Sequence, residues 1–280
     1  MVVDNKATIT YIQSLKEDLS VFRLVPNDGG AIPDYKAGQF LTIGLNVPSE
    51  NKIIRRAYSI ASHPENRKYI ELYIRWVRKP LPGRLTTQLF NAKEGDEINW
   101  IKPTGAFTLN ETNANGQKDE RRIVCIGGGT GLAPFVSYAQ HLHEVGDKRE
   151  LVVLHGASYV DELGYKDLLT DLEYESIDKG ADKWNFKYRA TISRPQEWFN
   201  RSWGGQVGRV ETFLRAKDGE PSPLEKLVHD KITKENTIFY VCGWQGTIDG
   251  VMDYLKPRGF VTEREKHPDG SYEVKYESYG

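Results

Sequence analysis

Residues 122–145 read RIVCIGGGTGLAPFVSYAQHLHEV, and this stretch decides the fold of the second half of the chain. A short apolar run leads into a glycine-rich turn, and the turn leads into the apolar spacing of a helix. Pro134 stands in the first turn of that helix, where proline is tolerated. The stretch predicts a strand, a turn and a helix that together open a βαβ unit.

The residues after this stretch continue the same pattern. Apolar runs alternate with helical segments, which is typical of a parallel sheet with helices on its faces. We therefore predict an α/β domain over residues 120–280. Its further strands are predicted at 150–158, 185–193 and 237–244, and its further helices at 161–174 and 247–256.

The residues before this stretch are rich in β-branched and aromatic side chains, in short runs separated by turn residues. Short strands at such spacing indicate a closed or nearly closed antiparallel barrel, which we predict over residues 1–115. A polar, Asn- and Gly-rich stretch at 109–122 is interpreted as a linker between the two domains or as an exposed loop. The predicted strands are 7–15, 21–26, 39–47, 55–62, 69–77 and 96–103.

The composition excludes several classes of protein. The chain has 280 residues and a formal net charge of -1, so no bulk attraction to nucleic acid or to an anionic membrane follows. No apolar run approaches the roughly 20 residues of a membrane span, and the first residues do not resemble a signal peptide. The two cysteines, Cys125 and Cys242, are too few to ligate an iron–sulfur cluster, and we expect no metal site. A cytoplasmic protein with reduced thiols is expected.

Two motifs in the predicted barrel carry groups that suit a phosphate and a flat ring. Alternation along a strand places Arg56 and Tyr58 on one face, with a forked cation and an aromatic ring. Ala57 and Ser59 lie on the other face. The segment from Gly83 to Thr86 follows a proline-rich turn, and a glycine before a helix lets backbone N–H groups approach a pyrophosphate. A solvated strand edge and a helix capped by Thr86 are the alternative interpretations.

Three motifs in the predicted α/β domain stand where strands end. The glycine turn at 127–131 has Leu132 in the place of the last glycine of a strict GxGxxG pattern, and it predicts a dinucleotide at a helix N-terminus. Cys242 and Gly243 end another strand and are expected to face the same crevice. Ser193 and Arg194 end a third, where a cation can bind the 2′-phosphate of NADP. A tightly packed turn, a buried cysteine and a solvated arginine are the alternatives.

Together these motifs resemble the ferredoxin–NADP reductase family, closest to its bacterial type. The resemblance rests on Arg56–Ser59, Gly83–Thr86, Gly129–Pro134 and Cys242–Gly243, and it extends from about Gln39 onward. It implies an FAD-binding barrel followed by an NADP-binding domain. It also implies an enzyme that passes electrons between NADPH and a one-electron carrier, either ferredoxin or flavodoxin.

The resemblance also assigns roles to individual residues. Tyr58 would lie against the flavin ring, Ser59 near its reactive nitrogen, and Cys242 close to the site of hydride transfer. Tyr279, next to the last residue, would take the part of an aromatic residue that covers the flavin in the family. The cofactor-binding residues implied on this basis are Arg56, Ala57, Tyr58, Ser59, Tyr73, Gly83, Leu85, Thr86, Gly129, Thr130, Gly131, Ser193, Arg194 and Gly243.

Two other functions remain open from the sequence. The same two domains occur in the NAD(P)H-dependent reductase component of an oxygenase and in free-flavin reductases. A non-enzymatic docking subunit that lost its flavin is the alternative from another class. The intact set of Arg56, Tyr58, Ser59 and Gly131 favours an enzyme. The sequence does not identify the electron acceptor.

Overall fold

The computed structural model describes residues 5–29, 31–217 and 219–279. These residues form two compact units, the first made of those before 109 together with 136–141, and the second of the other described residues. The first unit carries a six-stranded antiparallel sheet and the second a six-stranded parallel sheet. The predicted fold class, an antiparallel β domain followed by a parallel α/β domain, is confirmed.

The antiparallel sheet of the first unit has the strand order β4-β3-β6-β1-β2-β5. One helix lies between its last two strands in sequence. The elements are β1 Asn5–Lys16, β2 Leu19–Pro26, β3 Phe40–Val47, β4 Lys52–Ser59, β5 Ile70–Arg75, α1 Arg84–Asn91 and β6 Glu97–Thr104.

The two edge strands of this sheet meet immediately beyond the end of β4. Ile60 forms an antiparallel bridge with Leu72 of β5, and the N–H of Ala61 donates to the carbonyl of Glu71 at 2.8 Å. The sheet therefore curls into a nearly closed barrel, as the spacing of the short strands predicts. Alternation along β5 turns Leu72 and Ile74 into the barrel core and Tyr73 away from it.

The parallel sheet of the second unit has the strand order β10-β9-β8-β7-β11-β12. Its central strands are buried on both faces, which explains why they are continuous apolar runs in the sequence. The elements are β7 Arg122–Gly128, α2 Ala133–Glu144, β8 Leu151–Ala157, α3 Lys166–Lys179, β9 Phe186–Ile192, β10 Gln206–Val207, α4 Pro223–Val228, β11 Thr237–Gly243, α5 Gln245–Leu255 and β12 Val274–Ser278.

The strand order fixes where a ligand site lies in this sheet. After β7 the chain continues to β8 on one side, and it later returns to place β11 on the other side of β7. The order therefore reverses between β7 and β11, and a crevice opens at their carboxyl ends. The glycine turn follows β7, and Cys242 lies near the end of β11.

The strands β10 and β12 and the helix α4 were not predicted, and one predicted helix begins later than expected. The helix predicted over 161–174 begins at Lys166, because residues 160–162 form a separate 3-10 turn and Tyr165 has a left-handed backbone with φ 61°. The strand β12 was not predicted, since only Val274 and Lys275 of its five residues are buried. It is held by backbone pairing with β11 at the sheet edge, which its own sequence does not encode. Within the described residues, every helix falls short of the length and apolar character required to traverse a bilayer.

Candidate functional site

The end of β4 in the first unit carries the motif at Arg56–Ser59. Register with β3 pairs Arg56 with Ile43 and Tyr58 with Leu41, so these two side chains share a face, as the alternation predicts. Tyr58 packs against the barrel core, and this burial raises the pKa of its phenol. Arg56 is exposed and donates to the carbonyl of Arg55 at 2.7 Å.

Ser59 is the last residue of β4 and is only 5% exposed. The bridge between Ile60 and Leu72 brings the end of β4 next to β5. Tyr73 of β5 is also buried. The structure therefore places Tyr58, Ser59 and Tyr73 at one closure of the barrel. Ala57, which precedes Tyr58 in the sequence, is exposed.

The start of α1 forms the second part of the site in the first unit. Gly83 is the N-cap residue, with an extended backbone and no side chain to accept from the first turn of the helix. The N–H groups of that turn remain suited to an anion such as a pyrophosphate. A Cβ on Gly83 would lie 2.4 Å from Oγ1 of Thr86, so a larger residue at this position would displace the Thr86 side chain.

The alternative interpretation of Thr86 as the N-cap of the helix is wrong. Thr86 lies inside the first turn, where its hydroxyl donates back to the carbonyl of Gly83 at 3.2 Å. The side chain of a Thr N-cap accepts a hydrogen bond from a backbone N–H of the first turn, whereas the Thr86 hydroxyl donates to the carbonyl of the N-cap residue. Leu85 beside it is buried and anchors the turn to the barrel core.

The glycine turn of the second unit packs directly against the end of β11. A Cβ on Gly131 would lie 2.3 Å from the carbonyl oxygen of Cys242, and one on Gly128 would lie 2.6 Å from Oγ1 of Thr247. Gly129 has φ 55° and open space around its Cα. Gly128 and Gly131 therefore serve close packing, whereas the surface at Gly129 and Thr130 is left open for a ligand.

Cys242 and Tyr279 meet at the same corner. Strand β12 pairs Gly243 with Ser278, and the N–H of Tyr279 donates to the carbonyl of Gly243 at 3.0 Å. Burial raises the pKa of the Cys242 thiol, and a hydrogen bond with the side chain of Tyr279 partly offsets this effect on the pKa. The thiol is therefore protonated at neutral pH and does not act as a nucleophile.

His155 lies beneath the glycine turn and was not recognised in the sequence. Its strand β8 pairs it with Gly127, and its Nδ1 lies 3.3 Å from the hydroxyl of Tyr188. Complete burial lowers the pKa of the imidazole to about 4, while the backbone of Gly129 acts in the opposite direction. A neutral imidazole therefore supports the turn without adding charge to it.

Ser193 and Arg194 follow β9, at the end of the sheet that also carries the glycine turn. The N–H of Ser193 donates to the carbonyl of Ala157 at 2.9 Å, and the guanidinium of Arg194 donates to the hydroxyl of Tyr159 at 2.7 Å. Sequence reasoning missed Tyr159, which precedes Arg194 by 35 residues. Arg189 inside β9 instead pairs with Glu173 at 2.7 Å.

The residues present in each unit fit the group that the motifs imply. The first unit offers a glycine cradle at a helix start together with a partly buried tyrosine and a buried serine, which fit a flavin dinucleotide. The second unit offers an open glycine turn at the switch point of a parallel sheet, which fits a nicotinamide dinucleotide.

The comparisons with known proteins agree with this division. Residues 6–109 match the oxidoreductase FAD-binding domain, and residues 125–253 match the oxidoreductase NAD-binding domain. Together the two matches span most of the chain.

Two curated relatives match nearly the whole chain. One is a component of the Na(+)-translocating NADH-quinone reductase of Serratia proteamaculans, which is 26% identical over 93% of the chain. The other is the propane 2-monooxygenase reductase component of Mycolicibacterium goodii, which is 26% identical over 91% of the chain. The chain spans 64% of the length of each of these relatives.

A solved structure has the same fold. The ferredoxin NADP+ reductase of Neisseria gonorrhoeae, with bound FAD and NADP, superimposes with a TM-score of 0.76 at 20% identity, over 99% of both chains. The chain belongs to the ferredoxin–NADP reductase-like family of FAD- and NAD(P)-binding oxidoreductases.

Proposed function

We propose that this oxidoreductase takes a hydride from NADPH onto FAD and delivers electrons one at a time to a separate carrier, ferredoxin or flavodoxin. The observation that carries the proposal is that one chain contains two such sites. The first consists of Tyr58, Ser59 and the helix start at Gly83, and the second consists of the glycine turn and Cys242. We assign the first site to an FAD domain over residues 1–115 and the second to an NADP domain over residues 120–280.

The residues of the first site would hold FAD. Arg56 and the amides after Gly83 suit the pyrophosphate, and Tyr58 offers a flat, partly buried surface for the ring system. Ser59 presents a hydroxyl beside the strand of Tyr73 and would orient the reactive ring nitrogen. When bound, FAD supplies the conversion of a two-electron donor into single-electron deliveries.

The residues of the second site would hold NADPH. The open surface at Gly129 and Thr130 would receive its nicotinamide half, with Gly243 and the thiol of Cys242 beside it. A buried, protonated thiol contributes position and shape rather than acid–base catalysis. The backbone of Tyr279 is hydrogen-bonded to Gly243, and the side chain of Tyr279 would have to move before the nicotinamide binds.

The preference for NADPH is supported by Arg194. The Arg194 guanidinium is pre-oriented by Tyr159 at the carboxyl end of β9, where the 2′-phosphate of NADP is expected. Ser193 beside it adds a hydroxyl. A cation in this place discriminates between the two nicotinamide dinucleotides because only NADPH carries the additional phosphate.

We predict that Arg194→Ala weakens the apparent affinity for NADPH about 10- to 100-fold and leaves that for NADH nearly unchanged. The affinities are measured from the dependence of flavin reduction on nucleotide concentration. Arg258→Ala, an exposed arginine after α5 at the opposite end of the sheet, is the matched control. Equal losses of affinity for both nucleotides would contradict the assignment of Arg194 to the 2′-phosphate site.

The choice of a separate carrier is supported by the distribution of charge. Residues 1–108 carry 15 Lys and Arg against 11 Asp and Glu, whereas residues 109–280 carry 23 against 28. A basic FAD domain favours encounter with an acidic carrier. Two of the basic side chains have acidic partners, since Arg75 pairs with Asp18 and Arg84 with Glu50, both at 3.0 Å.

A second candidate function is an NAD(P)H-dependent reductase component of an oxygenase, or a free-flavin reductase. The similarity to the propane 2-monooxygenase reductase component over 91% of the chain favours it. A steady-state assay with ferredoxin, flavodoxin and free flavin, each with NADPH and with NADH, separates these functions. We expect the fastest turnover with NADPH and a protein carrier. Turnover with free flavin alone, or with NADH alone, would favour the second candidate.

A further inference from the structure

The start of helix α1 carries a cation whose acidic partner lies on another turn of the chain. Arg84 is the first residue of α1 and is exposed, and the first turn of the helix, residues 84–87, contains no acidic side chain. A cation at a helix N-terminus is unfavourable because the helix dipole is positive there. An anion beside Arg84 offsets this cost, and Glu50 supplies one. Nη1 of Arg84 lies 3.2 and 3.0 Å from the two carboxylate oxygens of Glu50.

Glu50 is held by the short turn between β3 and β4. Residues 48–50 form a single 3-10 turn, and the N–H of Asn51 donates to the carbonyl of Pro48 at 3.3 Å. Asn51 has a left-handed backbone with φ 46°, which asparagine tolerates better than most residues do. Strand β4 begins at the next residue and carries the motif at 56–59. The turn therefore fixes Glu50 beside the strand that is assigned to FAD.

Lys52 shares the carboxylate of Glu50 with Arg84. Nζ of Lys52 lies 2.9 Å from Oε2 of Glu50, the same oxygen that Arg84 contacts at 3.0 Å. The hydrogen bonds from Lys52 and from Arg84 lower the pKa of Glu50, so its carboxylate is ionised at neutral pH. Because all three side chains are partly exposed, solvent and salt weaken these contacts, and a second anion can compete for the guanidinium.

Resting on the proposed function, we propose that Glu50 competes with the FAD pyrophosphate for Arg84 and thereby sets how tightly the chain holds FAD. Arg84 belongs to the same first turn whose backbone N–H groups suit that pyrophosphate, so its guanidinium and these groups serve one anion. The carboxylate of Glu50 occupies the guanidinium that the pyrophosphate would otherwise bind. Its negative charge also opposes the charge of the ligand. Both effects make FAD easier to release.

The rate at which FAD leaves the loaded protein tests this inference, and the rise in flavin fluorescence after dilution measures it. We expect Glu50→Gln to slow release about fivefold, because it removes the competing charge and keeps the size of the side chain. Arg84→Ala should speed release about tenfold, since a cation is lost from the pyrophosphate. In the double variant, release should match that of Arg84→Ala within about twofold. In roughly 1 M NaCl the effect of Glu50→Gln should fall below about twofold.

The matched control is Asp34→Asn, because Asp34 forms an ion pair with Arg67 at 2.7 Å in the same unit. It should release FAD at the rate of the unaltered protein. If Glu50→Gln melts at a lower temperature, Lys52→Ala leaves Glu50 to Arg84 alone and should speed release about threefold. Release from Glu50→Gln that is not slowed, or a slowing that persists in full without Arg84, would overturn the inference. The proposed function fails separately, if neither NADPH nor NADH reduces the flavin, and the release rates are measurable in that case too.

Discussion

Gly131→Ala is expected to slow flavin reduction by NADPH by about 10²-fold while FAD remains bound. The added methyl group would lie 2.3 Å from the carbonyl oxygen of Cys242 and 2.8 Å from Cα of Gly243. Both neighbours are backbone atoms of a fully buried strand, so the turn itself must shift. Overpacking of this kind also costs about 1–3 kcal/mol of stability.

The measurement for Gly131→Ala is the loss of flavin absorbance in a stopped-flow instrument, together with the melting temperature and the FAD content. Gly204→Ala is the matched control, because no atom lies within 4 Å of a Cβ built there. It should reduce its flavin at the rate of the unaltered protein. A Gly131→Ala variant that is also reduced at that rate would show that the glycine turn does not position the nicotinamide.

Ser59→Ala is the second substitution with a large expected effect. It should leave FAD bound at full occupancy and slow flavin reduction at saturating NADPH by about 10²-fold, since a small displacement of reacting atoms has that effect on rate. Ser59 is 5% exposed at the closure of the barrel, where its hydroxyl would orient the ring nitrogen. Removal of one oxygen leaves Tyr58 and the Gly83 cradle intact.

Ser62→Ala is the control for Ser59→Ala. Ser62 is also buried, but its hydroxyl lies 3.0 Å from that of Tyr35 and accepts from the N–H of Glu71 at 3.0 Å. Its loss should lower the melting temperature without a comparable loss of reduction rate. Unchanged reduction of the flavin in Ser59→Ala would discard the orienting role of that serine.

The parts of the fold that local patterns encode were predicted well. Strand β8 begins at Leu151 and ends at Ala157, within the predicted 150–158, because a continuous apolar run with polar neighbours defines a buried parallel strand. Strand β4 was predicted at 55–62 and lies at Lys52–Ser59. The shift arises because Ile60 leaves β3 and pairs with β5, a contact that local sequence does not specify.

The parts of the site that depend on long-range pairing were not predicted from the residues themselves. Tyr279 reaches Cys242 only because β12 adds to the edge of the sheet beside β11. Tyr159 reaches Arg194 because β8 and β9 are neighbours in the sheet, although a helix separates them in the chain. The motifs identified the ends of the strands. The residues that each motif contacts are determined by the order of the strands in the sheet.

The most direct test of the central claim is the absorbance of the purified protein before and after anaerobic addition of one equivalent of NADPH. We expect a yellow protein whose flavin band is present at one FAD per chain and is lost on mixing. A colourless protein that does not take up FAD, or a flavin band that persists with both NADPH and NADH, would contradict it.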